Sequence, residues 1–97
     1  EENIELKWII LNFSKHQILQ WNNIIDFSNK QYLIIEFLAK NKWYPKTKNQ
    51  ILEKVWWEQE ENLNLSSTTL EAHISTIRKK LWNDFIKTIK WTWYIIE

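Results

Sequence analysis

The chain has 97 residues, of which 44% are hydrophobic and 26% charged, and its formal net charge is +1. This composition is typical of one globular domain with a buried core, and it argues against a disordered or membrane-spanning chain because no apolar run approaches about 18 residues. The chain has no cysteine and two histidines, which excludes disulfides and thiolate zinc sites, so we expect a cytoplasmic protein without metal or cofactor.

Short apolar segments separated by polar turns make up the first quarter of the chain. They cover residues 4–6, 9–13, 18–20 and 24–25. β-branched and apolar residues bounded by Asn, Ser and Lys are typical of strands and their turns. The pattern predicts a four-stranded antiparallel sheet over residues 4–25.

Two capping boxes predict the starts of the next two helices. Ser28 with Gln31 forms the first box and Thr47 with Gln50 the second, since each pair can satisfy amides that a helix start leaves unbonded. Apolar residues follow both boxes at helical spacing. These are Leu33, Ile34, Phe37 and Leu38 after the first box, and Ile51, Leu52, Val55 and Trp56 after the second. We therefore predict helices over residues 28–41 and 47–57.

A third helix and a hairpin are predicted for the end of the chain. The residues Ser66, Ser67 and Thr68 with Glu71 supply a helix start, and the helical face that follows consists of Leu70, Ile74, Ile77 and Leu81. This spacing predicts a helix over residues 67–81 with that face buried. Two strand-like runs separated by a tight turn predict a hairpin over residues 86–96. The whole pattern indicates an α+β fold in a single domain, residues 1–97.

The outward positions of the third helix are small near its start and basic near its end. One stripe is Ala72, Ser75, Thr76 and Lys79, and its neighbour is Thr69, His73, Thr76 and Lys80. Small side chains let a helix enter the major groove of DNA, while cations hold phosphates. Any amphipathic surface helix also has a polar face, so the stripe alone leaves both interpretations open. The basic hairpin favours DNA, since residues 66–94 hold five cations against two anions.

The predicted third helix and hairpin resemble those of a known family. The run Ser-Thr-Thr-Leu-Glu-Ala-His-Ile-Ser-Thr-Ile-Arg-Lys-Lys-Leu at 67–81, followed by Ile-Lys-Thr-Ile-Lys-Trp-Thr-Trp-Tyr at 86–94, resembles the recognition helix and wing of the OmpR/PhoB-type effector domain of two-component response regulators. The resemblance covers nearly the whole chain, because the strands, helices and hairpin follow that family's order. It implies a winged helix-turn-helix fold and sequence-specific binding of double-stranded DNA.

The resemblance also implies a set of site residues. The third helix would lie in the major groove, with Thr76 and Lys80 near bases or phosphates, and Lys90 would carry the wing into the minor groove. The complete expected set is Thr68, Thr69, His73, Ser75, Thr76, Lys79, Lys80, Thr88 and Lys90. Thr68 and Thr76 stand where many relatives carry arginine, which weakens the case for guanine readout there. Arg78, beside the Ile74 and Ile77 face, is expected to be half-buried and structural.

Partners follow from the same resemblance. Residues 58–65 look like the family's contact with RNA polymerase, and dimers on tandem half-sites are expected. The chain begins Glu-Glu-Asn and contains no methionine, so we expect a domain of a longer protein whose receiver domain is absent here. A winged-helix module that binds protein instead of DNA is the alternative. Catalysis finds no support, because His16 and His73 are far apart in the chain and no nucleophile or phosphate loop is recognisable.

The tryptophan content is anomalous. The chain has eight tryptophans and no glycine, where about 7% glycine is usual. Trp56 alone stands where a helix pattern requires a large apolar residue. Six others fall at turns or helix ends, where positive φ and hence glycine is usual: Trp21, Trp43, Trp57, Trp82, Trp91 and Trp93. Trp8, between the first two strands, permits the same interpretation. We hypothesise that these are glycines in the native protein, encoded by UGA. The competing interpretation is an aromatic platform that stacks single-stranded bases or sugars.

Overall fold

The N-terminal quarter of the chain forms the predicted sheet. The computed structural model of the chain describes residues 3–56, 67–90 and 93–97, and at residues 67 and 68 it describes the backbone only. The first four strands are β1 Asn3–Leu6, β2 Ile9–Asn12, β3 Gln17–Gln20 and β4 Asn23–Ile25. They are antiparallel in the order β1-β2-β3-β4. Alternate side chains point to one face of a strand, and the face that carries Leu6, Ile9, Leu11 and Ile18 is buried.

The turns of this sheet differ in their chemistry. Between β2 and β3, the side-chain Oδ1 of Asn12 accepts hydrogen bonds from Ser14 Oγ and from the Lys15 amide, both at 3.0 Å. Between β3 and β4, Trp21 and Asn22 form a two-residue loop and both have positive φ, 55° and 68°. Positive φ at both positions is characteristic of the type I′ turn, which matches the twist of the strands that it joins.

Three helices follow the sheet, with bounds close to those predicted. They are α1 Asn29–Lys40, α2 Lys48–Trp56 and α3 Ser67–Lys80. Both capping boxes are confirmed. The Gln31 amide donates to Ser28 Oγ at 3.2 Å while the Ser28 amide donates to Gln31 Oε1 at 3.0 Å. The Gln50 amide likewise donates to Thr47 Oγ1 at 3.1 Å, and the Thr47 amide donates to Gln50 Oε1 at 2.8 Å. Ser28 and Thr47 precede the helices as cap residues, which is why α1 and α2 each start one residue later than predicted.

The core lies between the sheet and the three helices. Leu70, Ile74 and Ile77 are fully buried, so the predicted inner face of α3 is confirmed, with Leu81 partly buried just beyond the helix. On α1 the buried surface is wider than predicted and includes Tyr32, Ile35 and Ala39 beside Ile34 and Leu38. Leu33 and Phe37, which the pattern assigned to the core, are only partly buried. The buried surface of α1 is wider than predicted because α1 packs against both α2 and α3.

The predicted terminal hairpin is part of a three-stranded sheet. A two-residue strand, β5 Lys46–Thr47, pairs with β7 Trp93–Ile95, which pairs in turn with β6 Lys87–Ile89. The Trp43 amide also donates to the carbonyl of Ile96 at 2.9 Å. Strand β5 was not predicted, because two residues are too short to show an alternating pattern. These bonds anchor the base of the wing to the connection between α1 and α2.

The backbone tests the glycine hypothesis position by position. Trp21 and Trp43 have the expected positive φ, 55° and 76°. The expectation of positive φ is wrong for Trp82 and Trp93, which are absent from the positive-φ residues of the described chain, and Trp8 is absent from them as well. Trp82 follows α3 and packs edge-on against Trp8 and Phe85, and Trp93 opens β7 instead of lying in a turn. Trp56 is buried as predicted, while Trp57 and Trp91 lie outside the described residues.

Candidate nucleic-acid interface

Helix α3 presents three surfaces besides its buried face. Successive residues advance by about 100° around a helix, so one flank turns towards α1, the other towards β6, and a stripe between them points away from the core. His73 and Lys80 lie on the α1 flank, and Arg78 on the β6 flank, as their contacts below show. The outward stripe consists of Ala72, Ser75, Thr76 and Lys79.

On the α1 flank, His73 contacts Gln31, the glutamine of the first capping box. Its Nδ1 lies 3.3 Å from Gln31 Nε2, and its ring centroid lies 5.9 Å from that of Trp56. Because Gln31 Oε1 already accepts from the Ser28 amide, its Nε2 is the atom left to donate to His73. Burial, and then the charge of Lys30, lower the pKa of His73. Both effects favour the neutral ring that accepts this bond.

Lys80 lies on the same flank, directed towards the connection between β4 and α1. Its Nζ donates to the carbonyl oxygen of Asp26 and stands 5.3 Å from the centroid of the Phe27 ring. The ammonium group is therefore at the edge of the outward stripe and not at its centre. That position suits contact with a backbone phosphate beside the groove better than contact with a base.

On the β6 flank, Arg78 ties the helix to the wing. Its Nε donates to the carbonyl of Ile86 at 2.8 Å, and its Nη2 donates to the same carbonyl at 2.5 Å and to Thr88 Oγ1 at 2.8 Å. The expectation that Arg78 is half-buried and structural is confirmed. Since Thr88 Oγ1 accepts from Arg78, its own hydroxyl proton remains for an outside acceptor such as a phosphate oxygen.

The outward stripe is accessible to solvent. Ser75 and Lys79 are exposed and Thr76 is partly exposed, and among the described residues no hydrogen bond or ion pair engages Lys79. A groove of about 220 Å³ runs between α3 and the wing, lined by Ser75, Arg78, Lys79 and Tyr94 among others. Small side chains and one unengaged cation therefore face the solvent next to a groove.

The remaining expected residues lie at the two ends of this surface. Thr69 is exposed in the first turn of α3, and the side chain of Thr68 lies outside the described residues. Lys90 follows β6 with φ 52° and is exposed at the described end of the wing. The structure thus places Thr69, His73, Ser75, Thr76, Lys79 and Lys80 on one helix, with Thr88 and Lys90 on the adjacent wing.

Two ion pairs that were not predicted involve residues of α3 and of β6. Lys48 Nζ lies 2.7 Å from Glu71 Oε2, and Lys87 Nζ lies 2.8 Å from Glu97 Oε1. These hydrogen-bonded carboxylates raise the pKa of each lysine. The partners are 23 and 10 residues apart, so no local spacing signals either pair. Their effect is to offset two negative charges that would repel a polyanion.

Other kinds of site find no support in the part of the chain that is described. Across residues 3–56, 67–90 and 93–97, no group of three or more His, Cys, Asp or Glu side chains could hold a metal ion. Within the same ranges, no helix combines the length and the apolar character needed to cross a membrane.

Comparisons with known proteins agree with this geometry. Residues 22–95 match the family described as "Transcriptional regulatory protein, C terminal". The transcriptional regulatory protein DltR of Streptococcus agalactiae is 34% identical over 73 residues, which are 75% of this chain and 31% of that protein. The chain therefore spans about a third of that relative's length.

Solved structures share the fold. DrrB of Thermotoga maritima, described as an OmpR/PhoB homolog, has a TM-score of 0.86 at 22% identity, covering 99% of this chain and 44% of that chain. The RstA DNA-binding domain of Klebsiella pneumoniae, solved in complex with the RstA box, has a TM-score of 0.80 at 16% identity, covering 99% and 97%. The predicted winged-helix fold is thereby confirmed.

Proposed function

Because this chain belongs to the family of C-terminal domains of transcriptional regulatory proteins, we propose that it is a response-regulator effector domain that binds double-stranded DNA sequence-specifically. Helix α3 lies in the major groove and the wing in the adjacent minor groove. The observation that carries the proposal is the outward stripe of α3, where Ala72 and Ser75 leave room for base edges and Lys79 has no partner among the described residues.

The residues of this surface divide into two roles. Ser75, which is exposed, and Thr76, which is partly exposed, lie near the middle of α3, where they meet base edges and tune specificity. Lys79 contacts a phosphate, since an unpartnered exposed ammonium gains the full attraction of a polyanion. Thr69 is exposed in the first turn of α3, where backbone amides favour anions, and it faces the DNA backbone. Thr68 is assigned to the same DNA-binding surface by the family resemblance.

The flanks of α3 and the wing position the helix on the duplex. His73 and Lys80, held against α1 and the β4–α1 connection, face one sugar-phosphate backbone. Thr88 donates its free hydroxyl proton to a phosphate, and Lys90 reaches the minor groove from the wing. Arg78 contacts no DNA in this arrangement, because all of its described bonds run to the wing.

The wider assembly follows from the family. We expect a receiver domain in the full-length protein, dimers on tandem half-sites and a cytoplasmic location. Contact with RNA polymerase is assigned to residues 58–65, which lie outside the described residues. No enzymatic activity is expected.

Salt dependence of duplex binding tests the proposal. Fluorescence anisotropy of a labelled random duplex measures affinity against salt concentration for the wild type, Lys79→Ala and Lys90→Ala. The matched control is Lys15→Ala, an exposed lysine on the β2–β3 turn. Each phosphate contact contributes about one unit to the slope of log affinity against log salt, so the first two variants lose about one unit and the control loses none. Binding of a protein partner with no salt-dependent duplex binding would instead establish the alternative, a winged-helix protein-interaction module.

A further inference from the structure

Lys30 is a cation beside the α1 flank of helix α3, outside the set of residues assigned to the DNA-binding surface above. It lies in the first turn of α1, and its Nζ stands 5.5 Å from the centroid of the Trp56 ring at the end of α2. The Trp56 ring in turn lies 5.9 Å from the ring of His73. The buried indole therefore brings a residue of α1 and a residue of α3 to the same edge of the interface.

The ammonium group of Lys30 is available to an outside anion. Lys30 is partly exposed, and none of the ion pairs between described residues includes it. A cation over an aromatic face is attracted by the electrons of the ring, so Trp56 holds the side chain at this edge without neutralising its charge. Lys48 differs, because Glu71 offsets its charge at 2.7 Å.

His73 offers a hydrogen-bond donor at the same edge. Its Nδ1 accepts from Gln31 Nε2 at 3.3 Å, so the proton of the neutral ring is on Nε2. After burial, the charge of Lys30 is the second cause that lowers the pKa of His73, in agreement with their common contact with Trp56. One charged donor and one neutral donor thus lie together.

The α1 flank continues from this pair towards the end of α3. His73 and Lys80 are seven residues apart, so they lie on the same side of the helix and about 10.5 Å apart along its axis. One DNA strand advances by about 3.4 Å per nucleotide. The two residues are therefore far enough apart to contact different phosphates, and Lys30 lies at the His73 end of the flank.

We propose that Lys30 and His73 bind one phosphate of the DNA backbone, Lys30 by its charge and His73 by a hydrogen bond from Nε2. This rests on the proposed function, because it takes the α1 flank as a surface that faces a sugar-phosphate backbone. Lysine acts on a phosphate as a point charge, whereas a ring N–H donor gives the contact a direction. The DNA-binding surface thereby extends from α3 and the wing onto α1.

Salt titrations of duplex binding test the role of Lys30. The variants are Lys30→Met, which keeps an unbranched side chain over Trp56 without the charge, and Lys30→Arg, which keeps the charge. The control is Lys40→Met at the other end of α1, whose ammonium group also stands over an aromatic ring, that of Phe13. A lost phosphate contact lowers the salt slope by about 0.9 and weakens binding about eightfold at 0.1 M salt. We expect both changes in Lys30→Met and neither in Lys30→Arg or Lys40→Met.

Two further measurements separate the parts played by Lys30 and His73. His73→Phe keeps a ring against Trp56, and it should weaken binding at every salt concentration without changing the slope, because the ring that it replaces is neutral. NMR titration of the His73 ring in the protein without DNA should give a higher pKa in Lys30→Met than in the wild type, since the variant lacks the nearby cation. Urea unfolding of each variant identifies any loss of binding that comes from a loss of folding.

Three outcomes overturn this proposal. The first is a wild-type salt slope in Lys30→Met when the wild type itself binds duplex, which leaves the proposed function intact. The second is an equal loss of slope in Lys40→Met, which assigns the effect to net charge and not to the position of Lys30. The third is an unchanged pKa of His73 in Lys30→Met, which separates the two residues. A wild type that does not bind duplex refutes the proposed function and this proposal together.

A second inference comes from the backbone at two tryptophans and is independent of the DNA-binding surface. Trp21 and Trp43 have φ of 55° and 76°. Strand pairing across the β3–β4 turn and the bond from the Trp43 amide to Ile96 fix these conformations. In this left-handed region a Cβ atom crowds the following carbonyl oxygen, so bulky residues avoid it and glycine adopts it freely. The two side chains are 69% and 62% exposed, so little packing compensates for the strain.

We infer that the cell makes this chain with glycine at positions 21 and 43. A single cause, UGA codons read as glycine, then accounts for these two positions, for the absence of glycine and for the other five anomalous tryptophans. Trp56 is the exception, since it is buried in α2 and is expected to be encoded by UGG.

The intact mass of the protein from its own organism, with peptide sequencing across positions 21 and 43, tests this inference. We expect glycine at both, UGA at the matching codons, and a total mass lower by seven tryptophan-to-glycine differences. Tryptophan at 21 and 43 with UGG codons overturns it. In the chain with tryptophan at these positions, Trp21→Gly and Trp43→Gly should raise the urea midpoint of unfolding, while the control Trp56→Gly should lower it. A lower midpoint for the first two variants refutes the strain argument.

Discussion

Replacing Arg78 tests whether this residue holds the wing onto α3. Arg78→Ala removes the three hydrogen bonds to the Ile86 carbonyl and Thr88 Oγ1, and it deprives the carbonyl of a fully buried residue of its charged donor. A hydrogen bond to a charged group contributes about 1.5–3 kcal/mol, and an unsatisfied buried acceptor costs about 1–3 kcal/mol. Since Arg78 is half-exposed and water can reach part of the site, we expect a loss of about 2 kcal/mol in the free energy of unfolding.

Urea unfolding followed by tryptophan fluorescence measures this loss. With a urea dependence of about 1–3 kcal/mol per molar for a small domain, the midpoint should fall by about 1 M. Arg78→Lys, which cannot form the forked contact, should be intermediate. A double-mutant cycle with Thr88→Val should show coupling between the two positions, because they share a 2.8 Å hydrogen bond.

Lys79→Ala is the matched comparison on the same helix. It removes an exposed cation without a described partner, so it should weaken DNA binding and leave the urea midpoint nearly unchanged. A stability change below about 0.5 kcal/mol in Arg78→Ala, the size of an ordinary surface substitution, would refute the structural role of Arg78. A large loss of stability in Lys79→Ala would refute the division of α3 into flank and outward stripe.

Three further predictions concern folding. Ser28→Ala breaks the first capping box and should cost about 1 kcal/mol in urea unfolding, whereas Ser14→Ala on an exposed turn should cost less. Ile77→Ala truncates a fully buried side chain and should lower the free energy of unfolding by about 2–5 kcal/mol. A change near zero would contradict the packing of this face of α3 in the core. The lowered pKa of His73 means that its ring is protonated at a higher pH in the unfolded chain than in the folded chain. The stabilisation by neutral His73 is therefore complete above about pH 6.5 and is lost as the pH falls from there towards the pKa of the folded state. Thermal unfolding of His73→Gln should therefore depend less on pH than that of the wild type. An equal pH dependence contradicts the lowered pKa of His73.

Local signals explain which parts of the fold were predictable. The Ser28 and Thr47 capping boxes act within four residues, and the buried face of α3 repeats at helical spacing, so the sequence alone reveals both. The likeness of residues 67–94 to a known family added the recognition helix and wing. The half-buried state of Arg78 followed from its position beside Ile74 and Ile77.

Contacts between distant segments explain what was missed. Strand β5 is defined by its pairing with β7, and the Lys48–Glu71 pair joins two helices. The direction of Lys80 towards Asp26 joins residues 54 positions apart. Trp82 and Trp93 also lack the positive φ that the local turn pattern predicted. Tertiary packing determines the backbone at Trp82, and strand pairing determines it at Trp93.

Binding-site selection on the 97-residue domain tests the central claim most directly. The domain is incubated with a pool of random duplexes at low salt, and bound duplexes are recovered and sequenced over several rounds. If the outward stripe of α3 reads the major groove, a defined sequence motif is enriched, and Thr76→Ala or Ser75→Ala changes the preferred bases while Lys15→Ala does not. Recovery of duplexes with no enriched motif, or no retention of duplex DNA, contradicts sequence-specific binding by this surface.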